Sequence, residues 1–264
     1  MVIAEYFFVS LLYAGDDFYF ISENKEGEKE MLFLANIKID MTKMIPYLGW
    51  FWDGTKLTIA VSLVTVILGC FIGFLATLAK RSKYKVLNGI ANVYTQVIRG
   101  TPMLLQLYIW TLGLPSIGLK IPDLFGSRSS LLITTVIALA FNSGAYICEI
   151  FRAGLNSVDK GQEEAARSLG LNSKQTMRFV ILPQAIKTIL PSLGNEFIMM
   201  IKESSMVSTI GVADVMYQQK IIQGATYRVI EPLVVIGIIY LILTTILTTG
   251  IGILERKLNK DAKN

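Results

Sequence analysis

The charged residues of this chain are spaced in a way that soluble helices do not need. Lys56 and Lys80 are separated by 23 residues without a charge, and Glu231 and Glu255 by another 23. Two further gaps of 20 residues run from Arg99 to Lys120 and from Arg128 to Glu149. At about 1.5 Å per helical residue, twenty residues cross the roughly 30 Å hydrocarbon core of a bilayer. The pattern predicts an all-α membrane protein with five spans, at about 57–79, 86–114, 131–151, 184–201 and 232–254. The second is broken at Arg99-Gly100-Thr101-Pro102, where Gly and Pro interrupt the helical ladder. The fourth is interrupted by Lys187 and Glu196. Trp50 and Trp52 mark an interface ahead of the first span, which contains a GxxxG face, Gly69 to Gly73, that permits close helix approach.

Charge sets the orientation. Lys80, Arg81, Lys83 and Lys85 follow the first span, the loop 152–183 carries Arg152, Lys160, Arg167, Lys174 and Arg178, and the tail carries Arg256, Lys257, Lys260 and Lys263. By the positive-inside rule these segments are cytoplasmic, which places the N-terminus out and the C-terminus in. Residues 46–264 read as one transmembrane domain. Residues 1–45 differ: an apolar start too short to span is followed by a polar, acidic stretch from Asp16 to Glu30. That leader is either an extracytoplasmic extension or an over-extended reading frame ahead of a start at Met31, Met41 or Met44.

Composition removes several functions. Only 17% of the residues are charged and none is histidine, which excludes a Ser-His-Asp triad, an HExxH zinc site and a histidine proton relay. Cys70 and Cys148 lie in apolar runs without CxxC spacing, so neither a disulfide framework nor a metal site is expected. The net charge of +5 reads as topology, because no basic groove with interleaved aromatics points to nucleic acid. No GxxxxGK[ST] sequence occurs, so a P-loop nucleotide site within this chain is excluded.

The loop 152–183 predicts two short helices joined by a turn. Asp159 is placed to cap the first, with Gln162 completing a capping-box pattern. Glu163 and Glu164 stand in its first turn and Arg167 near its end, both favourable to the helix dipole. Gly170 supplies a left-handed position after the helix, and Asn172 with Gln175 restarts one. Ala165, Ala166 and Leu169 form a small apolar face that needs a partner, the alternative being a solvated linker helix.

Glu164-Ala-Ala-Arg-Ser-Leu-Gly170, continuing to Ile181-Leu-Pro183, resembles the EAA loop of permease subunits of bacterial ABC importers. Three more blocks resemble the polar amino-acid uptake branch: Arg99 to Gln106, Ala145 to Arg152 with Lys160-Gly-Gln162, and Asn195 to Ile198 with Lys202 to Ser205. The resemblance spans residues 54–254 in colinear order. It implies a five-helix type I importer fold in the bacterial cytoplasmic membrane and a dimer of permeases, with itself or with a homologue. It also implies a dimer of cytoplasmic ATPases that hold ATP and Mg, and an external amino-acid receptor. In that family the EAA helix, here Gln162, Glu163, Glu164, Ala165, Ala166, Arg167, Ser168, Leu169 and Gly170, sits in a groove of the ATPase. No residue is expected to be catalytic and no cofactor to be held by this chain.

An ionisable side chain inside a span costs about 2.5–3.5 kcal/mol on insertion scales and is a functional candidate by default. Glu196, in the apolar stretch Ile189–Ile201, is placed either to hold the ammonium of an amino acid or to pair with Lys187 or Lys202. The resemblance favours the ligand role. Arg99, at the break, is suited to the substrate carboxylate or to neutralising helix carbonyls. Asn195 belongs to the same block as Glu196, and Ser204, Ser205, Gln106 and Asn142 are weaker candidates. The rivals are an ion-coupled carrier, disfavoured by the missing internal repeat, a membrane-embedded enzyme, and a non-transporting scaffold of the same fold. Which amino acid is carried stays open.

Overall fold

The computed structural model describes residues 39–123 and 129–260 and divides the chain into two units, Met1–Pro46 and Tyr47–Asn264. Most of the leader, with the expectations attached to it, lies outside the described residues. In the second unit every described element is helical. The order is α1 (Leu48–Lys80), α2 (Lys85–Arg99), α3 (Met103–Tyr108), a π-helical turn (Ile109–Gly113) and α4 (Leu114–Ser116). There follow α5 (Ser129–Asn156), α6 (Lys160–Ser168), α7 (Ser173–Thr176) and a second π-helical turn (Met177–Ile181). The chain closes with α8 (Leu182–Glu203), a 3-10 segment (Ser204–Ile210), α9 (Val215–Thr226) and α10 (Ile230–Lys260).

Among the described helices, three are long and apolar enough to cross a membrane: those built on α1, α5 and α10. α5 is the central one, because 61% of its most apolar stretch is buried against 28% and 17% for the other two. α1 and α5 pack along their lengths, and glycines set how closely. A Cβ added at Gly73 would lie 2.8 Å from Ile147 Cγ2 and 2.9 Å from the Gly144 carbonyl oxygen. One added at Gly144 would lie 2.8 Å from Ile72 Cγ2. The GxxxG face of α1 is therefore matched by a glycine on α5, and backbone meets backbone across the seam. Three hydroxyls in α1 bond within their own helix: Thr55, Thr58 and Thr77 donate to the carbonyls of Phe51, Gly54 and Gly73 at 2.7, 3.0 and 2.7 Å. Such back-bonding lets a span carry polar side chains without orphaned groups. Thr58 also accepts from the Val215 N–H at 3.1 Å, which fixes the start of α9 against α1.

The segments expected as second and fourth spans are helical but lack the apolar continuity of the other three. α2 is two-sided. Val86, Ile90, Val93 and Val97 form an exposed apolar stripe, while Asn88, Asn92, Gln96 and Arg99 recur at spacings that align them on another face. α8 has the length to cross but contains Lys187, Glu196, Lys202 and Glu203.

The expected break after Arg99 is present, and a side chain repairs it. Pro102 has no N–H to give to the Ile98 carbonyl one turn earlier. Gln106 supplies the substitute: its Nε2 donates to Ile98 O at 2.7 Å, Thr101 O at 3.1 Å and Thr101 Oγ1 at 2.8 Å.

Gly73→Val is expected to lower the thermal midpoint of the purified protein by the equivalent of about 1–3 kcal/mol of overpacking. Gly89→Ala, where nothing lies within 4 Å of the added Cβ, is expected to leave the midpoint unchanged or raise it. Gln106→Leu strands two carbonyls and is expected to cost about 1–3 kcal/mol in the same measurement; an unshifted midpoint would show that the break needs no repair.

Candidate functional site

Glu196 lies in the middle of α8, is 8% exposed, and faces α5. Its Oε1 accepts a hydrogen bond from Ser143 Oγ at 2.8 Å. Among the described residues no ion pair involves it, so neither Lys187 nor Lys202 neutralises it within the chain. A buried carboxylate without a cation is costly in a low-dielectric interior.

The other expected solute ligands are dispersed. Asn195, the neighbour of Glu196, is exposed. Ser204 is buried and donates to Ile201 O at 2.9 Å while accepting from Ser62 Oγ at 3.3 Å, and Ser205 is half-buried. Gln106 is committed to the break and accepts from Asn142 Nδ2 at 2.9 Å through its own Oε1. Asn142 is 2% exposed and its Oδ1 has no partner.

Arg99 sits in a polar cluster that charge spacing did not disclose. Glu149 Oε1 takes Lys80 Nζ at 2.7 Å, its Oε2 takes Arg152 at 2.7 Å, and Arg99 stands 3.9 Å from that second oxygen. The Arg99 guanidinium also lies 5.5 Å from the Tyr146 ring centroid. In front of the cluster is a cavity of about 500 Å³ lined by Lys80, Asn92, Thr95, Gln96, Arg99, Gly100 and Glu149. The Glu149–Arg152 pair is readable as an i, i+3 spacing; Lys80 and Arg99 come from other helices and leave no local signal.

The loop forms the expected pair of helices, α6 and α7. Gly170 takes φ +84°. Its N–H donates to Arg167 O at 3.0 Å and the Leu171 N–H to Ala166 O at 3.1 Å, the paired bonds of a Schellman stop. Asn172 and Gln175 exchange the reciprocal bonds of a capping box. At the start of α6 the expected box does not form. Asp159 instead accepts from the Gly161 N–H at 2.7 Å, and the Gln162 amide oxygen accepts from Gln184 of α8 at 3.4 Å. Glu163 pairs with Arg167 at 3.7 Å, and Ser168 donates to Glu164 O at 3.0 Å. Of the apolar face, Ala166 is buried, Ala165 is exposed and Leu169 is 83% exposed.

Residues 65–260 match the family described as the binding-protein-dependent transport system inner membrane component. The arginine transport system permease protein ArtQ of Bacillus subtilis (strain 168) is 40% identical over 225 residues, 85% of this chain and 100% of that protein. The putative glutamine transport system permease protein GlnP of Rickettsia bellii (strain RML369-C) is 39% identical over 218 residues, covering 83% and 97%. Among solved structures, an amino acid ABC transporter crystallised with histidines contains a chain 43% identical, with a TM-score of 0.79, covering 84% of this chain and 100% of that one. A methionine ABC transporter, MetNI, shares the fold at 18% identity and a TM-score of 0.63. The chain belongs to the binding-protein-dependent transport system inner membrane component family, and it is the membrane permease subunit of an ABC importer with an all-α, type I transmembrane fold.

Proposed function

We propose that this permease moves a polar amino acid into the cell, with Glu196 receiving the substrate's ammonium group and the α6 loop receiving the stroke of a partner ATPase. The observation that carries the solute assignment is a buried carboxylate in a helix core, held by one hydroxyl and by no cation among the described residues. An ammonium would complete its charge. The relatives named for arginine and glutamine transport support the substrate class. Asn195, Asn142, Ser204 and Ser205 are assigned at most a supporting part, Gln106 a structural one, and Arg99 a part on the substrate's path in the cavity beside Glu149, which Glu196 does not line.

The coupling assignment rests on α6. A nine-residue helix, capped at its start and stopped by a Schellman turn, leaves Ala165 and Leu169 uncovered on a rigid element. That is the shape of a docking helix, and residues Gln162 to Gly170 are its contact surface. The partners in this reading are a dimer of ATPases that hold ATP and Mg, a second permease and an external receptor. Five crossings, with the N-terminus out and the C-terminus in the cytoplasm, keep each basic segment on the cytoplasmic side. α2 to α4 and α8 supply the two less apolar crossings, the polar faces of which turn to protein or to a wet path. Residues 46–264 form the transmembrane domain.

With the ATPase and receptor in liposomes, Glu196→Gln is expected to abolish uptake of labelled amino acid while the complex still assembles; uptake at the wild-type rate would reject the site. Gly170→Val places a β-branched residue at φ +84° and is expected to leave ATP hydrolysis running without uptake. Intact coupling in that variant would mean the turn has no part in transmission.

A further inference from the structure

Six buried threonines in the described helices share one habit, while Thr65 has no partner and Ser62 reaches Ser204. Thr55, Thr58, Thr77, Thr95, Thr134 and Thr135 each donate to the carbonyl four residues earlier in their own helix. Ser143, with no measurable exposure in the middle of α5, differs from those six in giving its proton to an acid. Its Oγ lies 2.8 Å from Glu196 Oε1 on α8, so its one proton is spent on another helix. Among the described residues no other side-chain hydrogen bond reaches the Glu196 carboxylate. On the opposite flank stands Gly69 of α1: a Cβ there would lie 3.1 Å from both Cβ and Oγ of Ser143. The hydroxyl is thus backed by glycine and directed at the carboxylate.

We infer that Ser143 is a positioning residue for the solute site: it holds Glu196 Oε1, fixes the rotation of the carboxylate, and leaves Oε2 free for the substrate's ammonium. The inference rests on the reading of Glu196 as the ammonium receptor. A serine hydroxyl has one proton, and a carboxylate offers about four lone-pair sites. The hydrogen bond therefore orients the acid without neutralising it, which is what a site for a cationic group requires. A lysine or arginine at this place would instead compete with the substrate.

The test is a double-mutant cycle in the complete complex of permease, ATPase and receptor, reconstituted in liposomes with labelled L-arginine and L-glutamine as probes. Ser143→Ala is expected to raise the KM for uptake about tenfold with the maximal rate within about twofold, the signature of lost substrate binding. On a Glu196→Asp background, which keeps the charge but retracts it from the hydroxyl, the same change is expected to have no further effect on KM. Ser143→Cys preserves volume with a weak donor and is expected to raise KM with an unshifted thermal midpoint. A wild-type KM in Ser143→Ala, an equally large effect on the Glu196→Asp background, or failure of both serine variants to assemble would each overturn the inference. A wild-type KM in Glu196→Gln would instead remove the reading on which it rests, whatever the serine variants do.

Discussion

The contact between α1 and α5 governs the rest of the structure. Gly69 and Gly73 on one helix and Gly144 on the other bring two backbones into direct approach, and a methyl group at any of the three would meet atoms within about 3.1 Å. In lipid no hydrophobic force draws helices together, because the tails are as apolar as the side chains. Close approach must supply the attraction through dispersion and through backbone groups brought near one another. The same seam presents Ser143 toward α8 and Cys148 O toward Thr77, whose hydroxyl approaches it to 3.3 Å. Site geometry and helix packing are thus one problem here.

Around that seam the polar groups are handled in two ways. Where a hydroxyl or amide serves the fold, it is satisfied locally: threonines bond one turn back, and Gln106 fills the gap that Pro102 opens. At Glu196 a buried acid has one hydroxyl partner and, among the described residues, no cation. The contrast separates structural from functional polarity more cleanly than residue type does. Gln106 and Asn142, both candidates by type, bond to one another, and Gln106 also bonds the backbone, while Asn142 Oδ1 keeps no partner.

Much of this was legible in the chain. Uncharged gaps located α1, α5 and α10, because lipid exclusion of charge is a local property of sequence. The turn after α6 was legible too, since only glycine occupies φ +84° without strain. The two-sided character of α2 was hidden, because Asn88, Asn92 and Gln96 are polar without being charged, and charge spacing passes over them. At the start of α6 Asp159 caps the Gly161 N–H, and Gln162 meets Gln184 on α8, a partner 22 residues away that local spacing does not show. Glu196 stood out as an acid in an apolar run, whereas Ser143 carried no signal, its bond to Glu196 closing across 53 residues of sequence separation beside a glycine on a third helix.

The carboxylate of Glu149 has a mechanical consequence. It ties α1 through Lys80, α2 through Arg99 and its own helix through Arg152, near the end of α5 that leads into the α6 loop. A glycine seam holds two helices by shape, through contacts that weaken steeply within about an ångström of separation. An ion cluster holds by charge, and attraction between charges falls off more slowly with distance. Arg99, at 3.9 Å, is the looser of the three cations, the other two standing at 2.7 Å. One acid thus links a third helix to two that meet backbone to backbone.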